Sequence, residues 1–168
     1  MELSDLGAGG KKSKRLDKLG FEPQISIQKM PHIMQSSGKG CPVACATMIL
    51  NYAEIKITYK ELQKIPYDWR QMDEAQLRGL IEEFGLKTVP IKNLDEAKNL
   101  LENKKPVVVF VNRSTYAKGD NHWIVLRGVK GRVFAISDPA DKDIRRLEVK
   151  TLNAAMKRSK CNILFTIE

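Results

Sequence analysis

The sequence predicts an α+β fold with two lobes and one cleft between them, the helices coming first and the strands after. Two patterns predict it. Capped, helix-period segments fill the stretch from Pro42 to Asn103, and runs rich in Val, Ile and Phe fill the chain after Pro106. A glycine turn signal at Lys130-Gly131 then joins two of those strands as a hairpin, so the sheet is expected to be mostly antiparallel.

The elements follow in order. Residues 1–24 read as a flexible basic arm or a junction to something larger: Gly7 to Gly10 is glycine-rich, and Lys11 to Arg15 is a charge run without apolar periodicity. The folded domain is expected over 25–168. Gln24 to Met34 carries alternating Ile25 and Ile27, a short strand or an extended lead-in. Gln35 to Gly40 is a turn-rich loop. Pro42 to Tyr52 reads as a buried helix, with Pro42 suited to its first position. Thr58 starts a second helix with Glu61 at capping-box spacing, and Asp73 caps a third that Gly85 stops. Lys87 to Ile91 is a strand, and Asp95 to Asn103 an amphipathic helix. Strands are expected at Val107–Val111, His122–Val129, Arg132–Ser137 and Asn162–Ile167, with a short helix over 152–158 before the last.

Composition narrows the function classes. A chain of 168 residues, 42% of them apolar, can bury a core as one domain. No apolar run approaches the length of a membrane span, and no apolar stretch follows a basic N-terminus, so neither a spanning helix nor a secretory signal is expected. The net charge of +9, from 29 Lys+Arg against 20 Asp+Glu, admits a nucleic-acid partner. The basic residues show no stripe interleaved with aromatics, which does not favour that reading. The three cysteines form neither a disulfide framework nor a Cys-x-x-Cys metal pair, and no cofactor or metal is expected.

Chemistry concentrates on four residues. Cys41 follows a glycine-containing loop at a helix N-terminus, where free N–H groups and the helix dipole stabilise a thiolate. An inert core cysteine is the ordinary alternative. His122, one of two histidines, heads an apolar strand beside a polar loop. A two-residue turn at Lys130-Gly131 sets His122 opposite Pro139, next to Asp138, which would accept from one ring nitrogen while the other faces the thiol. Otherwise Asp138 is a turn residue before proline. Gln35, six residues before Cys41, could donate to an oxyanion beside the Cys41 N–H.

The segment from Gln35 through Cys41 to Tyr52 resembles the nucleophile motif of the bacteriocin-processing double-glycine leader peptidases. His122-Trp-Ile-Val-Leu and Ser137-Asp138-Pro139-Ala140 resemble that family's histidine strand and acid segment. The likeness covers about residues 24–168. It implies a papain-like fold, a helical lobe carrying the cysteine packed on a sheet lobe carrying the histidine and the acid. By position, it implies Cys41 as nucleophile, His122 as base, Asp138 as orienting group and Gln35 as oxyanion donor. Gly40 stands where the family has an acid, and Pro42 where it has glycine.

The expected activity is cysteine-peptidase hydrolysis of a peptide or protein substrate through an acyl-enzyme. The same parts would serve deamidation or transpeptidation. One alternative is a bacterial toxin or effector domain, delivered to another cell within a larger secreted protein and met there by a cognate inhibitor or immunity protein; otherwise the domain is expected in the cytoplasm. Another is a peptide-binding module without turnover.

Overall fold

A computed structural model describes residues 26–168. The expected arm at 1–24, and Ile25, lie outside the described residues. Eleven helices and strands make up the described chain. Three helices, α1 (Cys41–Tyr52), α2 (Tyr59–Gln63) and α3 (Glu74–Glu83), precede strand β1 (Thr88–Pro90) and helix α4 (Leu94–Glu102). Strands β2 (Val107–Asn112), β3 (Asn121–Lys130), β4 (Val133–Ser137) and β5 (Arg146–Glu148) follow, then helix α5 (Val149–Arg158) and strand β6 (Leu164–Ile167). The six strands form one antiparallel sheet in the order β1-β6-β2-β3-β4-β5. The α+β reading holds: N-terminal helices, the first carrying the cysteine, pack on a C-terminal antiparallel sheet.

The sheet separates two cores. On one face Val108, Trp123, Val125, Phe165 and Ile167 pack against Val43, Met48, Leu50, Leu62, Leu77, Leu80 and Ile81 from α1, α2 and α3. On the other, Val107, Val109, Ile124, Leu126, Phe134 and Ile136 meet Ala97 and Leu101 of α4 and Leu152 and Ala155 of α5. Strand alternation produces this split, since successive side chains of β2 and β3 serve opposite cores. Both sheet faces being covered, the central strands are apolar throughout rather than alternating.

Helix α1 is apolar on every side, and Cys41 to Leu50 are all buried. Thr47, polar within the buried stretch, is satisfied inside the helix by donating to the Val43 carbonyl at 2.7 Å. The helix begins one residue earlier than expected, with Gly40 as the capping position, Cys41 first and Pro42 second. Proline is tolerated there too, because the first-turn N–H groups have no intrahelical acceptor. Thr58 caps α2 by accepting from the Glu61 N–H at 3.1 Å. Asp73 and Gln76 form the full capping box on α3, and Gly85 follows that helix at φ 94°.

Two features correct the expected register. The β3–β4 turn is Gly131-Arg132, with Lys130 facing Val133, one residue later than the sequence suggested. Gly131 takes φ 58°, as the first position of a type II′ turn requires. A bulge at Arg127 then shifts the pairing back, so that Val125 faces Ser137 and Asp138 emerges just beyond the paired strand. The bulged residue also anchors the lead-in, which has no strand of its own. Its carbonyl accepts from the Ile27 N–H at 2.8 Å. Its guanidinium donates to the Ile27 carbonyl at 2.6 Å, the Met30 carbonyl and Ser137 Oγ at 2.6 Å. Pinned this way, the lead-in reaches Gln35, whose N–H donates to the Pro139 carbonyl at 2.9 Å. The edge strand β5 was not expected; it is three residues long and carries no apolar pattern.

Candidate active site

A cleft of about 860 Å³ runs between the helical side and the ends of β2, β3 and β6. Cys41, His122 and Gln35 all line it, with Pro42, Trp69 and Phe110 among the walls. Asp138 lies behind His122, fully buried.

Cys41 sits on the first turn of α1, and no side chain caps that helix end. Glycine at 40 cannot cap, and Pro42 has no N–H. The Cys41 N–H is therefore the backbone donor next to its own sulfur, without an intrahelical acceptor. Space explains the glycine: a Cβ at position 40 would meet the Tyr59 hydroxyl at 2.1 Å and Gln35 Cβ at 3.0 Å. The tyrosine phenol occupies the volume that a side chain at position 40 would need. It also holds the loop, accepting from the Ser36 N–H at 3.1 Å and from Ser36 Oγ at 3.3 Å.

His122 is buried at the start of β3. Its Nε2 lies 2.8 Å from Asp138 Oδ1. An ionised carboxylate only accepts, so Nε2 carries the hydrogen and Nδ1 is the ring nitrogen left for the Cys41 side of the cleft. Burial opposes a charge on His122; Asp138 and Cys41 outweigh it and raise the imidazole to about 9.

Asp138 accepts from four donors. Its Oδ1 takes His122 Nε2 and the Ala140 N–H, the latter at 2.9 Å. Its Oδ2 takes Arg113 Nε at 2.8 Å and the Tyr116 hydroxyl at 2.9 Å. Burial alone would raise this carboxyl, but His122, Arg113 and the Ala140 N–H hold it at about 2. Arg113 and Tyr116 come from the 3-10 turn Arg113–Thr115 and its end, directly after β2. Neither was expected from the sequence. A strand followed by Asn-Arg-Ser-Thr carries no motif, and the only available signal is a tyrosine and an arginine close behind an apolar strand.

Gln35 lies on the cleft wall with one amide hydrogen donated to the Ser37 carbonyl at 2.6 Å. Its Oε1 is buried without a partner. Cys45, one turn after Cys41, is completely buried; burial, then Cys41, pushes its thiol well up. It packs as a small core residue. Cys161 is exposed at the cleft rim, and Trp123 fills the core between Phe110 and Phe165, with ring centroids 4.7 and 6.3 Å away. His32 contacts Met34 Sδ at 3.2 Å. Among the described residues no group of three or more His, Cys, Asp or Glu is placed to hold a metal ion. No helix among them is long and apolar enough to cross a membrane.

The sequence profile of the peptidase C39 family matches residues 29–157, more than half of the chain. The chain belongs to the peptidase C39 family. It is thus a member of a family of cysteine peptidases, as the motifs around Cys41 and His122 implied. No match to this C39 sequence is found among curated proteins. Solved structures share its fold. A protein of Bacillus anthracis described as a C39-like peptidase superposes with a TM-score of 0.68 at 18% identity, covering 85% of this chain and 97% of that one. A double-glycine-motif protease from an AMS/PCAT transporter, solved with its leader peptide, gives 0.64 at 20% identity, covering 84% and 93%. The peptidase domain of Streptococcus ComA, a bifunctional ABC transporter of a quorum-sensing pathway, gives 0.63 at 15%, covering 80% and 95%.

The two shifted groups set a pH window for stability. His122 is raised from 6.5 to about 9, so its contribution is complete below 6.5 and is lost as pH rises through 9. Asp138 is lowered from 3.8 to about 2, so its contribution is complete above 3.8 and is lost as pH falls through 2. Denaturant midpoints measured against pH are expected to decline below 3.8 and above 6.5, and between the two to gain further toward 6.5 from His32, which burial and Arg127 hold below its ordinary value. A midpoint still rising between 7 and 9 would contradict the His122 assignment.

Proposed function

We propose that the chain hydrolyses peptide bonds, with Cys41 as nucleophile, His122 as proton carrier, Asp138 as the group that orients the imidazole, and Gln35 as an oxyanion donor. The observation that carries the reading is the bond from His122 Nε2 to a buried, ionised Asp138, with His122 and Cys41 lining one cleft. The thiolate attacks the scissile carbonyl carbon, and the carbonyl oxygen becomes an oxyanion. The Cys41 N–H and the second hydrogen on Gln35 Nε2 donate to it. His122, as imidazolium, gives its Nδ1 proton to the departing amine, leaving a thioester on Cys41. A water then loses its proton to Nδ1 and attacks the thioester carbonyl, releasing the acid and restoring the thiolate–imidazolium pair.

A structurally similar protease is solved with a leader peptide, so double-glycine peptides are the first substrates to offer. Incubation with a leader-type peptide that continues past its Gly-Gly pair, followed by acid quench and intact-mass measurement, is expected to show cleavage and a transient adduct on Cys41. Adduct on Cys161 instead, or a peptide left whole at high enzyme concentration across a sequence-varied set, would count against the proposal. Within it, Gln35→Ala should lower kcat about a hundredfold with KM nearly unchanged, since one oxyanion donor is removed. A change confined to KM would instead make Gln35 a substrate-binding residue.

A further inference from the structure

We propose that Arg113 is a positioning residue of this site: its guanidinium clamps Asp138 Oδ2 so that Oδ1 alone serves His122, and its charge tempers the carboxylate that the imidazole feels. The inference deepens the catalytic reading above and rests on it for its link to turnover.

The clamp is built rather than incidental. Arg113 Nε meets Oδ2 at 2.8 Å, with the arginine side chain 10% exposed and the aspartate fully buried. The guanidinium is itself held, since Nη1 donates to the Lys118 carbonyl. The Arg113 backbone N–H donates to the Asp120 carbonyl at 2.8 Å, and Gly119, at φ 134°, lets the loop close against the arginine side chain. Tyr116 completes the hold on Oδ2, its phenol pushed upward by burial and by Asp138 and therefore a steady donor. A carboxylate bonded at both oxygens cannot rotate, and the only histidine contact left to it is through Oδ1.

The charge has a separate consequence. A lone buried carboxylate beside an imidazole favours the imidazolium strongly; a guanidinium on its far oxygen offsets part of that pull. The titratable and charged groups around the pair are Cys41 and Cys45 from α1, His32 and Asp141 from the flanking loops, Arg127 from β3 and Arg145 before β5, and Arg113 and Tyr116 from the turn after β2. Of these, Arg113 is permanently charged and touches Asp138. It keeps the His122 proton exchangeable enough to be given to a leaving amine.

With two histidines in the chain, the test is direct. His32 is pushed down by burial and by Arg127 while His122 is raised, so their ring signals titrate apart by NMR. In Arg113→Gln the His122 midpoint is expected to move up by roughly one pH unit. On the double-glycine peptide, kcat is expected to fall about tenfold with KM unchanged. Arg113→Lys keeps the charge and is expected to hold the wild-type midpoint while recovering part of kcat. A folded Arg113→Gln protein whose His122 midpoint stays put or falls overturns the inference. If that variant does not fold, a shifted midpoint in Arg113→Lys does the same. The NMR midpoint needs no turnover. A protein that cleaves nothing yet shows the shift would sink the peptidase mechanism and leave the clamp standing, and the reverse pattern would sink the clamp alone.

Discussion

His122→Ala is expected to lower kcat/KM on a cleaved peptide by about ten-thousandfold or more while the domain stays folded, less stable by what the protonated ring contributed. The chemical loss is large because the imidazole acts twice, once in holding the thiolate and once in protonating the leaving amine. The structural loss is limited by what remains. Without the ring, Asp138 still accepts from Arg113, Tyr116 and the Ala140 N–H, so no buried charge is orphaned. Two readouts separate the effects: peptide cleavage, and alkylation of Cys41 followed by mass spectrometry at pH 6 to 7. The exposed Cys161 is an internal reference, and the buried Cys45 should stay unmodified in the folded protein. Cys41 in wild type should react far faster than Cys161, and the advantage should vanish in the variant. Equal rates in the two proteins would mean that the Cys41–His122 pair does not operate.

How much of this could be read from residues alone depends on whether the interaction was local. Helix caps were legible because Thr58 and Asp73 act on N–H groups three residues away. The buried α1 was legible from its apolar residues at helical spacing, Ala44, Met48 and Tyr52, and from Pro42 at its start. Cys41 and His122 stood out by type and by position at element starts, and Asp138 by the hairpin that returns the chain to the histidine. Yet the hairpin argument used the wrong turn, and the Arg127 bulge restored part of the difference. A bulge is set by what the extra residue can bind, here the lead-in backbone a hundred residues away in sequence, and no local pattern announces it. Arg113 and Tyr116 were missed for the same reason. Their partner is 25 and 22 residues distant, and the turn that presents them has no period to detect. The three-residue edge strand β5 is likewise decided by pairing with β4, not by its own sequence.

Asp138→Ala should destabilise the whole domain more than His122→Ala does, by about 3–5 kcal/mol. Both residues belong to one line of hydrogen bonds, but they carry different loads. Among the described residues the aspartate is the charge paired with a guanidinium whose side chain is 10% exposed, and it is the acceptor for a half-buried phenol and for the Ala140 N–H. Truncating it leaves Arg113 charged in low dielectric with the Lys118 carbonyl as its remaining neutral acceptor. It also frees the chain between Asp138 and Pro139, where the Gln35 N–H docks, so the loop leading to Cys41 loses its anchor on the sheet. For a domain of this size such a loss corresponds to a drop of roughly 10 °C in Tm. Asp138→Asn keeps the shape and an acceptor oxygen but not the charge, so it should lie between wild type and Asp138→Ala in Tm. Its cleavage rate should still fall by about a hundredfold or more, because an amide neither fixes the Nε2–H tautomer nor stabilises the imidazolium. The distinguishing measurement is a double variant. Arg113→Met in the Asp138→Ala background removes the stranded charge, and Tm should recover by several degrees without any return of activity. If the double variant melts no higher than Asp138→Ala alone, the stability carried by this cluster comes from packing rather than from the ion pair.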